Sequence, residues 1–148
     1  MEIEQTVVLD VNAKSQQEVF MLIAQEAVKQ GYGDNQESIL NGLKTREQEG
    51  TTGMMDGFAI PHAKSEAILK ASLIILKLTQ GIEWDSMDGK PTEFIISLLI
   101  PDEEKGTTHL KILSKVARLL MKEDAKKDLK KAESAEKIET VLNKYISE

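Results

Sequence analysis

ASLIILKLT at residues 71–79 and EFIISLLI at residues 93–100 are the two apolar segments on which the architecture of this chain depends. Both are rich in isoleucine and have the length of a strand. Turn-forming residues bound them, namely Gly81, Asp88 with Gly89, and Pro101. A short apolar run with such boundaries is typical of a buried strand. We therefore expect the two segments to form central strands of a sheet.

Helix signals precede these strands. Ser15 with Glu18 three residues later is a capping-box pattern, and an apolar stripe at helical spacing follows it as far as Gly31. Asp34 with Glu37 repeats the start signal, and the second helix should end near Gly50. A loop follows, and the short apolar run at residues 58–60 then meets Pro61, which ends or edges a strand.

Further helices follow the strands. Thr107 or Thr108 can cap a helix that carries Leu110 and Val116, and a last helix carries Ile138 and Leu142. The cluster of lysines between them, interspersed with acids, is predicted to be a solvated helix face (Lys126, Lys127, Lys130 and Lys131). Helices, then strands, then helices is an α+β-like order, which favours a mixed sheet covered by helices over a regular βαβ wind.

Composition limits the possible functions. The 148 residues suit one domain, spanning residues 1–148, and the net charge of −6 makes nucleic acid an unfavourable partner. There is no cysteine, so disulfides and zinc–thiolate sites are excluded. The N-terminus lacks a signal-peptide pattern, and the longest uncharged apolar run, residues 94–101, is too short to cross a bilayer. We expect a cytoplasmic protein with no membrane insertion.

His62 is the sharpest candidate for chemistry. It is one of two histidines and follows Pro61, whose fixed φ should present an exposed, oriented imidazole at the end of a strand. With an ordinary pKa near 6.5, about three quarters of such a side chain is neutral, and hence nucleophilic, at pH 7. Phosphoryl transfer needs in-line positioning and donors for the phosphoryl oxygens.

Possible donors lie nearby in the sequence. Arg46 could neutralise a phosphate as a two-pronged donor, and Thr51 and Thr52 offer hydroxyl groups. His109 follows a GTT triplet at the expected start of a helix, where free backbone N–H groups favour an anion. Each residue taken alone also has a structural explanation: Arg46 as a cation at a helix end, and His109 as an ordinary surface or core histidine.

Other kinds of site find less support. A metal site of two histidines would need carboxylates at ligand spacing, and the sequence contains neither HxH nor HExxH. The GTTG stretch at residues 50–53 lacks the ending of a nucleotide-binding loop. Trp84 is predicted to be a core or pocket-wall aromatic. No metal or cofactor is expected.

The stretch REQEGTTGMMDGFAIPHAK (residues 46–64) resembles the active-site signature of the fructose/mannitol type of IIA components of the phosphoenolpyruvate sugar phosphotransferase system. The resemblance continues through GIEWDSMDGKP, EFIISLLIPD and THLKILSKVARLL and covers essentially the whole chain. It implies one α/β domain, in which a mixed β-sheet is flanked by helices on both faces. One departure is Met55, where many members have glycine, so the loop could differ and form an apolar docking rim.

The resemblance also implies roles and partners. His62 would be the phosphorylated residue, flanked by Arg46 and His109, with phosphorylated HPr as donor. The acceptor would be a cysteine of a IIB component that is linked to a membrane IIC. The sugar would be fructose or a fructose-like sugar, because the sequence around His62 resembles the fructose branch of the family most. One alternative is a regulatory module of the nitrogen-related branch. Another is a small-molecule binder in which both histidines line a pocket.

Overall fold

The computed structural model of the chain describes residues 3–103 and 108–146. In chain order the elements are β1 (Glu4–Val11), α1 (Gln16–Lys29), α2 (Gln36–Glu49), β2 (Phe58–Ala59), β3 (His62–Ser65), β4 (Ser72–Ile82), β5 (Thr92–Pro101), α3 (Thr108–Leu119), α4 (Glu123–Lys131) and α5 (Ala135–Ile146).

The sheet is mixed, as predicted, and the two apolar segments lie at its centre. β4 and β5 pair antiparallel, and β1 lies parallel to β4 at one edge. β2 and β3 both pair parallel with β5 and follow each other along the opposite edge. β5 is buried along almost its whole length. Because both β2 and β3 pair with it, β5 fixes the position of these two edge strands.

Helices cover both faces of the sheet, which confirms the predicted fold class. Side chains that point to opposite sides of neighbouring strands enter two separate apolar clusters. One cluster joins the sheet to α1 and α2 through Phe20, Ile23 and Leu43. The other joins it to the three later helices, for instance through Val116 and Leu142. The sheet is therefore the middle layer of three.

Helix starts follow the predicted chemistry, with one correction. Ser15 caps α1 by accepting a hydrogen bond from the Glu18 N–H. For α2 the prediction of Asp34 as the cap was wrong by one residue, since the Asn35 side chain accepts from the Ser38 N–H. Asparagine is as good a cap as aspartate, so the two adjacent residues were equivalent on sequence grounds. The helix reaches Glu49 and is capped by Gly50, as expected.

Two further expectations need correction. Strand β1 was not predicted, because Val7, Val8 and Leu9 follow one another, all half-buried, without the alternation of apolar and polar residues that indicates a strand. The lysine cluster is not uniformly solvated, since Lys126 is buried. The helix predicted after the strands is α3, which begins at Thr108, so Thr108 is its first residue and not its cap, and Thr107 lies outside the described residues. No helix within the described part of the chain has the length and apolar content needed to cross a bilayer.

Candidate functional site

A broken edge strand holds His62. β2 and β3 would form one continuous strand along β5, but Pro61 has no N–H and interrupts the ladder. Its carbonyl still accepts a hydrogen bond from the Leu98 N–H at 3.1 Å, so the chain stays attached to the sheet. His62 is consequently the first residue of β3, which corrects the expectation that it stands at the end of the preceding strand.

Arg46 and His62 are in direct contact, as the resemblance to the known signature implied. Arg46 lies in the last turn of α2 and donates from Nε to Nε2 of His62 at 2.9 Å. It also donates from one terminal nitrogen to the Gly50 carbonyl at 2.8 Å, a bond that fixes the guanidinium against the end of its own helix. Arg46 is thus a cation at a helix end that also contacts His62, and its role as a phosphate donor stays a prediction.

These contacts determine the protonation state of His62. The Ile60 carbonyl, which can only accept, lies 3.0 Å from Nδ1, so Nδ1 carries the proton. Nε2 therefore keeps its lone pair, which points at Arg46. The ring is half-buried rather than exposed as predicted. Burial, together with the positive charge of Arg46, lowers the pKa of His62 and keeps the imidazole neutral, although the bond to Ile60 acts in the opposite direction.

The ring lies in a cleft that spans the sheet edge. The cleft has a volume of about 550 Å³ and combines α2, β3, the end of β5 and the first turns of α3. Leu98 and Ile100 line the cleft from β5, and Leu110 and Leu113 line it from α3. Leu110, expected on the apolar stripe of its helix, is 56% exposed at the opening. A mostly apolar cleft with a few converging polar groups is the usual form of a ligand or reaction site.

His109 lies in the first turn of α3 and lines the same cleft as His62, in agreement with the resemblance, which implied that His109 flanks His62. Among the described residues, its Nδ1 is buried and has no hydrogen-bond partner. No group of three or more metal-ligating side chains is assembled in residues 3–103 and 108–146. The role of His109 as a phosphate contact stays a prediction.

Thr52 borders the neighbouring part of the cleft, but its polar groups are already engaged. Its backbone N–H donates to one carboxylate oxygen of Glu47 at 2.8 Å, and its hydroxyl donates to the other. Thr51 likewise gives its hydroxyl to the Asp85 carbonyl. Both threonines thus hold the loop in shape, and the idea that Thr52 donates to a phosphoryl group stays a prediction.

Three groups at this site were not singled out from the sequence. Glu47 fixes the loop through Thr52, and the carbonyls of Gly50 and Ile60 hold the arginine and the histidine. Glu47 directly follows Arg46 in the sequence, and an acid beside the only arginine of the region was a usable signal. Backbone carbonyls carry no sequence signal, because every residue has one.

Comparison with known proteins gives a consistent result. The family described as "Phosphoenolpyruvate-dependent sugar phosphotransferase system, EIIA 2" matches residues 3–145. A PTS system fructose-specific EIIA component from Haloferax volcanii is 38% identical over 120 residues, covering 81% of this chain and 77% of that protein. A nitrogen regulatory protein from Bradyrhizobium diazoefficiens is also 38% identical, over 110 residues, covering 74% of this chain and 71% of that protein.

Solved structures share the fold. The nitrogen regulatory protein IIA-Ntr from Neisseria meningitidis superposes with a TM-score of 0.85 at 28% identity, covering 92% of each chain. In a complex of enzyme IIAMtl with phosphorylated enzyme IIBMtl from Escherichia coli, the similar chain gives a TM-score of 0.76 at 17% identity, covering 93% of this chain and 94% of that one. In sequence, the fructose-specific and the nitrogen regulatory relatives are therefore equally similar to this chain, whereas the two solved structures differ in similarity and show the shared fold.

Proposed function

This chain belongs to the EIIA 2 family of the phosphoenolpyruvate-dependent sugar phosphotransferase system, and we propose that it is a phosphoryl carrier that takes phosphate onto Nε2 of His62. The observation that supports this most is the state of the ring. Nδ1–H is bonded to the Ile60 carbonyl, and Nε2 presents its lone pair to a guanidinium at the edge of a cleft.

The first step is an exchange between two histidines. The Nε2 lone pair of His62 attacks the phosphorus of the donor phosphohistidine, a new N–P bond forms, and the old N–P bond breaks with its electrons returning to the donor ring. His62 keeps its Nδ1 proton throughout, so no base is needed at this site. The carbonyl of Ile60 neutralises part of the charge that the ring gains.

Arg46 stabilises the transferred group. Its Nε–H points at the lone pair that makes the new bond, so the guanidinium turns from the ring to the phosphoryl oxygens as phosphorus arrives. The equatorial oxygens carry the charge in such transfers, and a cationic fork is well suited to binding them. His109 in the opposite wall of the cleft supplies a second donor.

The partners follow from the family. We take phosphorylated HPr as the donor and a IIB component with an acceptor cysteine as the recipient, in the cytoplasm, on the way to a membrane IIC. The pairing in the Escherichia coli complex of enzyme IIAMtl with phosphorylated enzyme IIBMtl supports a IIB partner. Fructose or a fructose-like sugar is favoured by the Haloferax volcanii fructose-specific relative.

A regulatory role is the second candidate. The Bradyrhizobium diazoefficiens nitrogen regulatory protein is as similar in sequence as the fructose-specific relative, and the IIA-Ntr structure shares the fold closely. In that case the same phosphate on His62 would report phosphoenolpyruvate supply to other proteins. Transfer of labelled phosphate from the loaded chain to a fructose-type IIB separates the two, since a purely regulatory module would retain it.

The central test is phosphorylation of the intact protein. After incubation with phosphoenolpyruvate, enzyme I and HPr, we expect a mass increase of one phosphate that is lost in acid and kept in base. The variant His62→Ala should show no increase, whereas the matched variant His109→Ala should still be labelled, though more slowly. An unchanged mass of the wild-type chain would remove both the transport and the regulatory proposals.

A further inference from the structure

Lys126 is buried in the helical layer close to the site. Within residues 3–103 and 108–146 it is the one charged residue that is buried, with 7% of its side chain exposed. A buried ammonium is costly unless it is paired. Lys126 lies on α4 and pairs with Glu123 at 3.0 Å on its own helix, and with Asp56 on a distant loop.

Asp56 forms the tip of a small hairpin that leads directly to His62. In this active-site hairpin (residues 53–59), Gly53 bridges Ala59 and the Met54 N–H donates to the Phe58 carbonyl at 2.8 Å. Asp56 and Gly57 both have positive φ, 59° and 87°, at the turn. Asp-Gly with two positive φ values is the preferred type I′ pair, and Met55, the family departure, needs no such geometry.

The hairpin is one wall of the opening beside His62. Met54, Ile60 and Thr52 line it on the hairpin side, while Leu110, Leu113 and Ala117 of α3 line the other side. Met55, at the tip, is 46% exposed. The distance between the hairpin and α3 therefore sets the width of this apolar opening. A protein partner must enter the opening to reach His62.

α4 holds this hairpin at two points. Lys126 binds Asp56 at the tip, and the Lys130 ammonium lies 5.6 Å from the ring centre of Phe58 at the base. Since α4 follows α3 directly in the chain and shares its apolar cluster, these contacts tie the hairpin to the layer that carries His109. Asp56 also accepts from the exposed Lys90, which belongs to the loop between β4 and β5.

We propose that Lys126, acting through Asp56, is a positioning residue that fixes the active-site hairpin against α3 and so sets the docking of the protein phosphoryl partner at His62. This rests on the proposed carrier function. The pKa of the Asp56 carboxyl is lowered by its bond to Lys126, and that of Lys126 is raised by the same bond, so the pair stays fully charged at neutral pH. A charged pair orients the tip in one direction, which apolar packing alone does not do.

The test compares Lys126→Leu with Lys127→Leu. Lys127 is the exposed neighbour on the same helix, so the control has the same substitution and the same loss of charge. For Lys126→Leu we expect the KM for phosphorylated HPr to rise about tenfold, with kcat nearly unchanged. This is less than the roughly hundredfold loss of rate that a misplacement of reacting groups by about 1 Å can cause. Phosphorylation by phosphoramidate, a small donor that needs no docking, should proceed as in the wild type.

A second readout does not depend on phosphate. In methyl-labelled protein the resonances of Met54 and Met55 should shift in Lys126→Leu, while that of Met21 on α1 should not, and Lys127→Leu should leave all three in place. Asp56→Asn, which keeps Lys126 paired with Glu123, should reproduce the KM increase, and adding it to Lys126→Leu should add little. It also replaces Lys126→Leu if that variant does not fold.

Several outcomes would overturn the inference. Equal KM values for the two leucine variants, or unmoved Met54 and Met55 resonances, would leave Lys126 a merely structural residue. An equal loss with phosphoramidate and with HPr would place its effect in the chemistry of His62 instead of docking. A wild-type chain that accepts phosphate from neither donor would refute the carrier function, and the methionine spectra would then still decide whether Lys126 positions the hairpin.

Discussion

Arg46 connects helix, loop and histidine through the two prongs of one side chain. Nε–H bonds Nε2 of His62, and a terminal nitrogen bonds the Gly50 carbonyl at the helix end. The second bond aims the first, because it prevents the long side chain from swinging into solvent. Lysine has the same charge but no planar fork, so it cannot make both bonds in this geometry.

For Arg46→Lys we expect phosphorylation of His62 to slow about tenfold, the equivalent of losing one charge-assisted hydrogen bond of ~1.5 kcal/mol. The fold should persist, because Arg46 is half-buried at the end of α2 and outside both apolar clusters. Rates measured with phosphorylated HPr and circular dichroism spectra check the two parts. Unchanged rates would reduce Arg46 to a helix-end cation.

The pH dependence of His62 follows from its lowered pKa. Burial and then Arg46 disfavour the protonated ring in the folded protein, so its midpoint lies below the ordinary 6.5. Between the two values the unfolded chain binds more protons, and stability rises with pH. The contribution is complete above 6.5 and is lost as pH falls through the folded midpoint. We expect an NMR titration of the ring to show a midpoint below 6.5, and one at or above 6.5 would contradict this.

At the scale of elements, the active-site hairpin packs closely against the loop after β4. A Cβ atom added at Gly53 would lie 2.8 Å from the Ser86 Cα and 2.9 Å from Cδ1 of Trp84. Trp84 itself is buried and packs edge-on against Phe20, as its prediction as a core aromatic implied. Glycine at position 53 is therefore required by space and not by its φ angle.

Gly53→Ala should lower the free energy of unfolding by about 1–3 kcal/mol, because the backbone at Ser86 must move to admit the methyl group. Gly50→Ala is the matched control in the same loop. A Cβ there meets nothing within 4 Å, and its φ of 161° is extended backbone. Urea unfolding of both variants measures the difference, and equal losses would show that the contact at Gly53 yields easily.

Elements with a local signal were predicted from the sequence, and those defined by distant contacts were not. Capping residues predicted the starts of α1 and α2 to within a residue, and isoleucine-rich runs predicted β4 and β5. β1 was missed because it becomes a strand only by pairing with β4 across a long stretch of chain. Lys126 was predicted to be solvated, because its partner Asp56 lies far away in the sequence and gives no local signal.

At the scale of the whole molecule, the site lies where the two helical layers meet the same sheet edge. Arg46 comes from α2 on one face and His109 from α3 on the other, with His62 between them on β3. The resemblance of residues 46–64 to a known signature predicted that this histidine and arginine meet, whereas spacing alone could not. The backbone carbonyl that fixes the tautomer of His62 was beyond prediction, because it depends on atomic geometry.

In the proposed carrier, the Arg46–His62 bond would also affect how readily the loaded form releases its phosphate. The empty ring is not idle, since its lone pair already accepts a bond from the guanidinium. On the proposed mechanism, loading would break that bond and unloading would restore it, so the group-transfer potential of the phosphohistidine would depend on the difference between two arginine contacts. Any stabilisation of the empty form drives the loaded form towards discharge, and one residue can thereby adjust both uptake and delivery.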